Sequence, residues 1–158
     1  MSKITDFYQG IGPDHAGRYL GDYVGFTPDQ LEHVHDYIQW MFPNMEASRF
    51  NPHAEVLTYD DIDMFLDNPD MAETARAMAN HMYRWYNVNT DWITPGNHNF
   101  LRITRILKFL NAIELENPLG LSEGDYFFRM VVGRYAEYPT IIGKETLRFW
   151  LDASEYKA

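Results

Sequence analysis

Residues 28–42 carry acidic, amide and aromatic side chains at spacings that could form one side of a binding site. If this segment is helical, Glu32, Asp36 and Gln39 lie within about 60° of one another beside an apolar stripe. Trp40 comes next to Asp36 and faces away from that stripe, where its indole could stack on a ring. Trp40 also has a second interpretation, in which the helix is sandwiched between two layers and the indole is buried.

A second polar stripe is predicted on residues 97–115. His98, Arg102, Arg105 and Phe109 flank the apolar face of this helix, and the two arginines are offset by a single turn. An arginine binds a carboxylate or a phosphate through its planar fork of N–H donors. This stripe therefore has the chemistry to hold an anionic group.

The two stripes are complementary in charge, which leaves two interpretations open. In the first, an arginine of one stripe forms a partly buried ion pair with a carboxylate of the other and fixes how the two helices dock. In the second, a polar pocket between the helices binds a small polar or anionic molecule or a short peptide. The predicted ligand-binding residues are Glu32, His35, Asp36, Gln39, Trp40, Asn97, Asn99, Arg102 and Arg105.

The sequence offers little for catalysis or for metal binding. It contains no cysteine, and His33 and His35 would project about 200° apart on a helix, so both cannot face one metal ion. The segment Gly10-Ile11-Gly12 lacks the third glycine and the following long helix of a dinucleotide-binding loop. We predict no catalytic residue, no metal and no cofactor, and keep an uncharacterised enzyme as an alternative.

The net charge of −10 arises entirely in the first half of the chain. Residues 1–79 hold 14 acidic and 4 basic side chains, whereas residues 80–158 hold 9 of each. Nucleic acids and anionic bilayers are themselves negative, so we predict no direct nucleic-acid binding. Residues 55–73 contain seven carboxylates and no basic residue. These acids either stabilise the positive ends of helices or bind a basic protein partner, as an inhibitor that mimics nucleic acid would.

No stretch of the chain approaches the roughly 18 apolar residues of a membrane span, and the first twenty residues lack the layout of a signal peptide. The absence of cysteine is compatible with a reducing compartment. We therefore expect a soluble cytoplasmic protein with no membrane span.

Helix signals recur along the chain, and no run alternates apolar and polar residues for long enough to make a strand. Residues 1–26 are rich in glycine and leave room for at most a short helix. Thr27-Pro28 and Thr58 begin helices by their capping chemistry. The sequence predicts an all-α, single-domain bundle of five or six helices, with a turn-rich segment over 1–26 and a helical core over 27–153. The predicted helices cover about 28–42, 58–66, 69–86, 97–115, 122–138 and 143–153, and residues 18–24 form at most a short helix.

Two blocks of the sequence resemble a known family. Residues 31–43, LEHVHDYIQWMFP, are similar to the signature LE..H.YIQWLFP, and residues 97–108, NHNFLRITRILK, are similar to the motif HNNLRITRIL. The signature and the motif are those of the opioid growth factor receptor conserved region, which the chain resembles over nearly its whole length and in the right order. The resemblance implies a helical binding module to which no catalytic residues are assigned. Animal members are described as nuclear-envelope-associated receptors for the pentapeptide Met-enkephalin that restrain cell proliferation, and short members occur in microbes and viruses.

Together these observations predict a non-catalytic helical binding module. The first hypothesis for its ligand is a small polar or anionic molecule, or a short peptide, bound between the 28–42 and 97–115 helices. The second is a protein partner that is bound through the acidic 55–73 region.

Overall fold

A computed structural model describes residues 2–48, 52 and 54–158 of the chain. Over these residues the chain is helical, and it forms no strand beyond one isolated antiparallel bridge between Glu116 and Ser122. The all-α prediction is therefore confirmed. The helices are α1 Lys3–Tyr8, α2 Leu20–Val24, α3 Pro28–His33, α4 Ile38–Met41, α5 Tyr59–Asp67, α6 Pro69–Val88, α7 Asn99–Ala112, α8 Glu123–Glu137, α9 Pro139–Ile142 and α10 Lys144–Ser154.

The chain divides into two compact units, Met1–Met78 and Ala79–Ala158, and α6 runs through the boundary between them. Helices of nine or more residues are α5, α6, α7, α8 and α10, and the other helices of the described residues have four to six. The long helices correspond to those predicted from periodicity, and short helices raise the total above five or six. The division into one domain, with a turn-rich segment over 1–26, stays a prediction.

Aromatic side chains form the core of the first unit. The ring of Phe7, on α1, lies 5.3 Å from the ring of Trp40 and 5.7 Å from the ring of Tyr23, measured between centroids. Tyr8 packs edge-on against Phe65 of α5 at 4.8 Å. Helix α1 was not predicted, because the residues that follow it are rich in glycine. It begins with a capping box, in which the Ser2 and Thr5 side chains each accept a hydrogen bond from the other residue's backbone N–H.

The prediction of one continuous helix over 28–42 is wrong. Helix α3 ends at His33, the backbone is extended at Val34, and α4 begins at Ile38. The hydroxyl of Tyr37 donates a hydrogen bond of 2.6 Å to the carbonyl of Leu31 in the last turn of α3. This bond satisfies a carbonyl that a continuing helix would have paired with a backbone N–H.

Burial supplies a second reason for this break. Every residue from 37 to 44 is buried, including Trp40 at 3% exposure. A helix that lies on the surface of a core buries only one face, so a run of eight buried residues must be surrounded on several sides. The indole is therefore buried, as the second interpretation of Trp40 proposed.

Capping residues place the starts of the helices around the acidic segment. The Thr58 side chain accepts from the N–H of Asp61, and the Asp61 carboxylate accepts from the N–H of Thr58, as the sequence predicted. The Asn68 side chain accepts from the N–H groups of Asp70 and Met71 at 3.1 and 3.2 Å and thereby begins α6.

The second unit is built from α7, α8, α9, α10 and the end of α6. The predicted apolar stripe of α7 is buried throughout, with Ile103, Ile106 and Leu107 fully excluded from solvent. The indole N–H of Trp150, on α10, donates to the carbonyl of Phe100 at 3.1 Å. No helix in the described part of the chain is long and apolar enough to cross a bilayer.

Candidate functional site

A buried carboxylate, Asp14, organises the loop between α1 and α2. Its Oδ1 accepts from the backbone N–H of Ala16 at 2.8 Å and from that of Arg18 at 2.9 Å. Its Oδ2 accepts from the Arg18 Nε at 2.9 Å and from the Tyr23 hydroxyl. Gly17 allows the turn because its backbone adopts a φ of +79°, which other residues adopt at a cost. The loop is thus folded around one charged side chain.

Arg18 joins this loop to the segment between α3 and α4. Its Nη2 lies 2.8 Å from Oδ1 of Asp36, while its Nε is held by Asp14. The guanidinium carbon lies 5.4 Å from the centroid of the Tyr23 ring, over its face. One arginine therefore bridges two carboxylates and packs on an aromatic ring.

His15 continues the same network on its solvent-facing side. The Trp40 Nε1–H can only donate, so the His15 Nδ1, 3.0 Å away, must accept. The neutral ring then carries its hydrogen on Nε2, which lies 3.2 Å from Oδ2 of Asp36. The contacts on both ring nitrogens therefore fix the tautomer and the orientation of this histidine.

The electrostatics of the network favour the ionised form of the Asp14 carboxylate and the neutral form of the Tyr23 hydroxyl. Burial alone would raise the pKa of Asp14, but the hydrogen bonds from Tyr23, Arg18 and Ala16 outweigh burial and lower that pKa. Burial alone would lower the pKa of Arg18, but the hydrogen bonds to Asp36 and Asp14 and the electrostatic interactions with Tyr23 and Asp14 together outweigh burial and raise that pKa. The pKa of the Tyr23 hydroxyl is raised by burial and by its bond to Asp14.

We name the residues Asp14, His15, Arg18, Asp36 and Trp40 the loop cluster. The sequence identified two of them, Asp36 and Trp40, as candidates and missed the other three. Asp14 could have been identified from its spacing to Gly17, three positions later, since an aspartate followed closely by a glycine is typical of a turn that the aspartate side chain closes.

The other candidates of the 28–42 segment lie around the break in the helix. Glu32 is half-buried near the end of α3, His35 is exposed in the connection, and Gln39 is buried in α4. Because the segment is not one helix, the predicted common face of Glu32, Asp36 and Gln39 is not formed.

The candidates of the 97–115 segment form a polar group at the start of α7. Asn99 is fully buried, and its Oδ1 accepts from the Tyr86 hydroxyl at 3.0 Å and from Arg102 at 3.4 Å. The Asn97 Oδ1 accepts from both the backbone and the side-chain nitrogen of Asn99 at 2.9 Å. Arg102 is buried and Arg105 is half-buried. These residues belong to the second unit and the others to the first, and a pocket formed by both sets stays a prediction.

An acidic cleft lies between α1 and α5 in the first unit. Its cavity has a volume of about 510 Å³. Four aspartates contribute to the wall, together with hydroxyl groups and one methionine, and none of the lining residues is basic. The lining residues are Ser2, Thr5, Thr58, Asp60, Asp61, Asp63, Met64 and Asp67. Among the residues that the structure describes, no group of three or more His, Asp or Glu side chains could hold a metal ion.

Comparison with known families identifies the chain. The family described as "Opioid growth factor receptor (OGFr) conserved region" matches residues 16–96, which is more than half of the sequence. The chain belongs to this OGFr family. The matched range includes Arg18, Asp36 and Trp40 of the loop cluster and the α5 wall of the acidic cleft.

Several animal proteins share this region with the chain. It is 29% identical over 135 residues to opioid growth factor receptor-like protein 1 of Xenopus tropicalis, with 74% of this chain and 25% of the relative covered. It is 33% identical over 112 residues to the human opioid growth factor receptor and 32% identical over 107 residues to the mouse receptor. These two alignments cover 56% of this chain and 16% and 17% of the receptors. The chain therefore spans a quarter or less of the length of these relatives. No solved structure matches it.

Proposed function

We propose that this OGFr-family chain is a non-catalytic binding module whose acidic cleft takes a positively charged segment of a peptide or a protein partner. The observation that carries the proposal is the cavity of about 510 Å³ with four aspartates and no basic residue in its wall. Cavities of this size accommodate small ligands and side chains. The relatives are named as receptors of a growth factor, which agrees with a binding role.

The aspartates of the cleft have different roles. Asp61 is buried, and its carboxylate accepts hydrogen bonds from the Ser2 hydroxyl and from the backbone N–H of Thr58. Asp60, Asp63 and Asp67 are exposed. Asp61 therefore maintains the structure of the wall, and the other three provide negative charge for a ligand.

The charge of the first unit favours a cationic ligand over an anionic one. It holds 14 acidic and 4 basic residues, and one of the basic residues, Arg18, is held by two carboxylates. An anion would meet a surplus of negative charge, whereas a lysine or arginine side chain would be attracted and could place its methylenes against Met64.

Calorimetric titration with tetralysine amide tests this proposal. The variant D60N/D63N/D67N should weaken binding by about tenfold, because three exposed charge pairs at about 0.5 kcal/mol each amount to about 1.5 kcal/mol. The wild-type affinity should also fall when NaCl is raised from about 50 mM to about 500 mM, since salt screens exposed charges.

A variant with the same change in net charge provides the control. Glu145, Asp152 and Glu155 are exposed at α10 in the second unit, and E145Q/D152N/E155Q should leave the affinity close to that of the wild type. Equal weakening by the two triple variants would show that tetralysine binding depends on net charge alone. The proposal that the acidic cleft is the binding site would then be wrong.

A further inference from the structure

The outer side of the loop cluster presents a carboxylate and a flat ring to solvent. The side chain of Asp36 is 42% exposed and that of His15 is 30% exposed, whereas the side chain of Asp14 is fully buried. A molecule in solution can therefore reach Asp36 and one part of the imidazole. The inner residues hold these two groups in place.

Asp36 has hydrogen-bonding capacity beyond its internal partners. Its Oδ1 accepts from the Arg18 Nη2 at 2.8 Å, and its Oδ2 lies 3.2 Å from the His15 Nε2. An ionised carboxylate offers about four lone-pair sites, two on each oxygen. Each oxygen can thus accept one more donor, and a pair of parallel donors would satisfy both.

The net charge of the loop cluster determines the sign of its ligand. Asp14 and Asp36 contribute two negative charges, Arg18 contributes one positive charge, and the neutral tautomer of His15 contributes none, which leaves −1. The lowered pKa of Asp14 agrees with its being ionised. A ligand that carries one positive charge would neutralise this cluster.

The two aromatic rings of the cluster lie nearly in one plane. The planes of His15 and Trp40 lie within 16° of each other, and their centroids are 6.3 Å apart. The direct bond of 3.0 Å between Nδ1 and Nε1 shows that the rings meet edge to edge rather than face to face. The face of the imidazole is therefore not covered by the indole, and a planar group could stack on it.

We infer that Asp36 and His15 form a site for the guanidinium group of an arginine side chain presented by a peptide or protein. A guanidinium carries one positive charge, donates two parallel hydrogen bonds to a carboxylate and stacks on aromatic faces. Those three properties match the charge, the two remaining acceptor positions and the flat ring. The compact ammonium group of lysine shares only the charge. This site is separate from the acidic cleft and does not depend on its function.

The test is an NMR titration with Nα-acetyl-L-arginine amide, followed at the ring protons of His15 and at the indole Nε1–H of Trp40. Nα-acetyl-L-citrulline amide, which has the same shape without the charge, is the control ligand, and Nα-acetyl-L-lysine amide tests the need for a planar group. We expect saturable shifts with the arginine derivative, weaker binding of the lysine derivative and no saturation with citrulline. Equal responses to arginine and citrulline would overturn the proposal.

Substitution of the carboxylate provides the second measurement. D36N should weaken binding of the arginine derivative by about fivefold, the range expected for a partly exposed ion pair, while D29N, at an exposed carboxylate of α3, should not. If D36N disturbs the loop, the Trp40 indole resonance will shift in the absence of ligand. In that case the comparison of the three ligands with the wild-type protein still tests the proposal. The D60N/D63N/D67N variant should retain the His15 shifts, so failure of the cleft proposal and failure of this one are distinguishable.

Discussion

Asp14 is a single side chain on which the conformation of the loop from 14 to 23 depends. Its carboxylate is buried and receives donors from Ala16, Arg18 and Tyr23. Hydrogen bonds to a charged group contribute more than those between neutral groups. An amide in this position would keep one acceptor oxygen and replace the other by a donor that faces existing donors.

We expect D14N to lower the free energy of unfolding by about 2–3 kcal/mol, since a buried donor left without its acceptor costs about 1–3 kcal/mol. Urea denaturation at neutral pH measures this change. D29N is the control, because Asp29 is exposed on α3, and it should cost less than about 0.5 kcal/mol. A loss in D14N no larger than in D29N would contradict the role given to Asp14.

The same substitution should change the acid stability of the protein. The folded-state pKa of Asp14 is lowered, so its stabilisation is present above the unfolded pKa of about 3.9 and is lost as the pH falls through the folded value. D14N should therefore show a weaker decline in stability below about pH 4 than the wild type. Parallel acid titrations of the two proteins by circular dichroism would reveal this difference.

At the scale of the helix, α8 contains two glycines in opposite surroundings. A Cβ on Gly124 would lie 2.3 Å from the Asn111 Oδ1, whereas a Cβ on Gly133 would meet no atom within 4 Å. Asn111 cannot move without cost, because its Nδ2 donates to the carbonyls of Ala153 and Ser154 at 2.9 and 3.2 Å. Gly124 therefore permits the contact that holds the end of α10.

We expect G124A to destabilise the protein by about 1–3 kcal/mol, the usual cost of overpacking. G133A is the matched substitution on the same helix, and it should stabilise the protein by about 0.5–1 kcal/mol because alanine favours the helical backbone. Thermal unfolding of both variants measures the contrast. A G124A variant as stable as the wild type would show that the Asn111 side chain can move away from the added Cβ at little cost.

Helix α6 places a histidine where protonation opposes folding. Burial and then the nearby charge of Arg84 lower the pKa of His81. The unfolded chain, with a histidine pKa of about 6.5, binds its proton first as the pH falls, so stability declines below about pH 6.5. H81Q should reduce the loss of stability between about pH 7.5 and pH 5.5, and R84Q should reduce it in part. Urea midpoints at the two pH values test this prediction. A loss of stability in H81Q as large as that in the wild type would contradict it.

The long helices were predictable because their signals are local. Thr58, Asn68 and Ser122 cap helices that begin close to the predicted starts at about 58, 69 and 122, and the buried stripe of α7 follows from spacing alone. The break between α3 and α4 was not predictable, because it depends on the Tyr37 hydroxyl reaching Leu31 and on burial from several sides. The loop cluster was missed for the same reason, since Arg18 reaches Asp36 across 18 positions of the sequence.

At the scale of the whole molecule, charge distinguishes the two compact units. The first unit contains ten more acidic than basic residues, and the second contains nine of each. Like charges within one compact body repel one another and oppose folding. Carboxylates such as Asp60, Asp63 and Asp67 therefore weaken the unit that carries them, and they are the charges that the proposed cationic partner would contact. Binding of such a partner should relieve this repulsion.

Salt should therefore stabilise the two units unequally. Raising NaCl from about 50 mM to about 500 mM shortens the screening length severalfold, and we expect the opening free energy of amides in α1 and α5 to rise by about 0.5 kcal/mol, the scale of surface charge interactions. Amides of α8 and α10 serve as the internal control, because their unit is electrically balanced, and should change less. Hydrogen exchange followed by mass spectrometry resolves the units in one sample. An equal rise in opening free energy in both units would mean that salt acts through solvent properties. The excess of carboxylates would then destabilise the first unit only slightly.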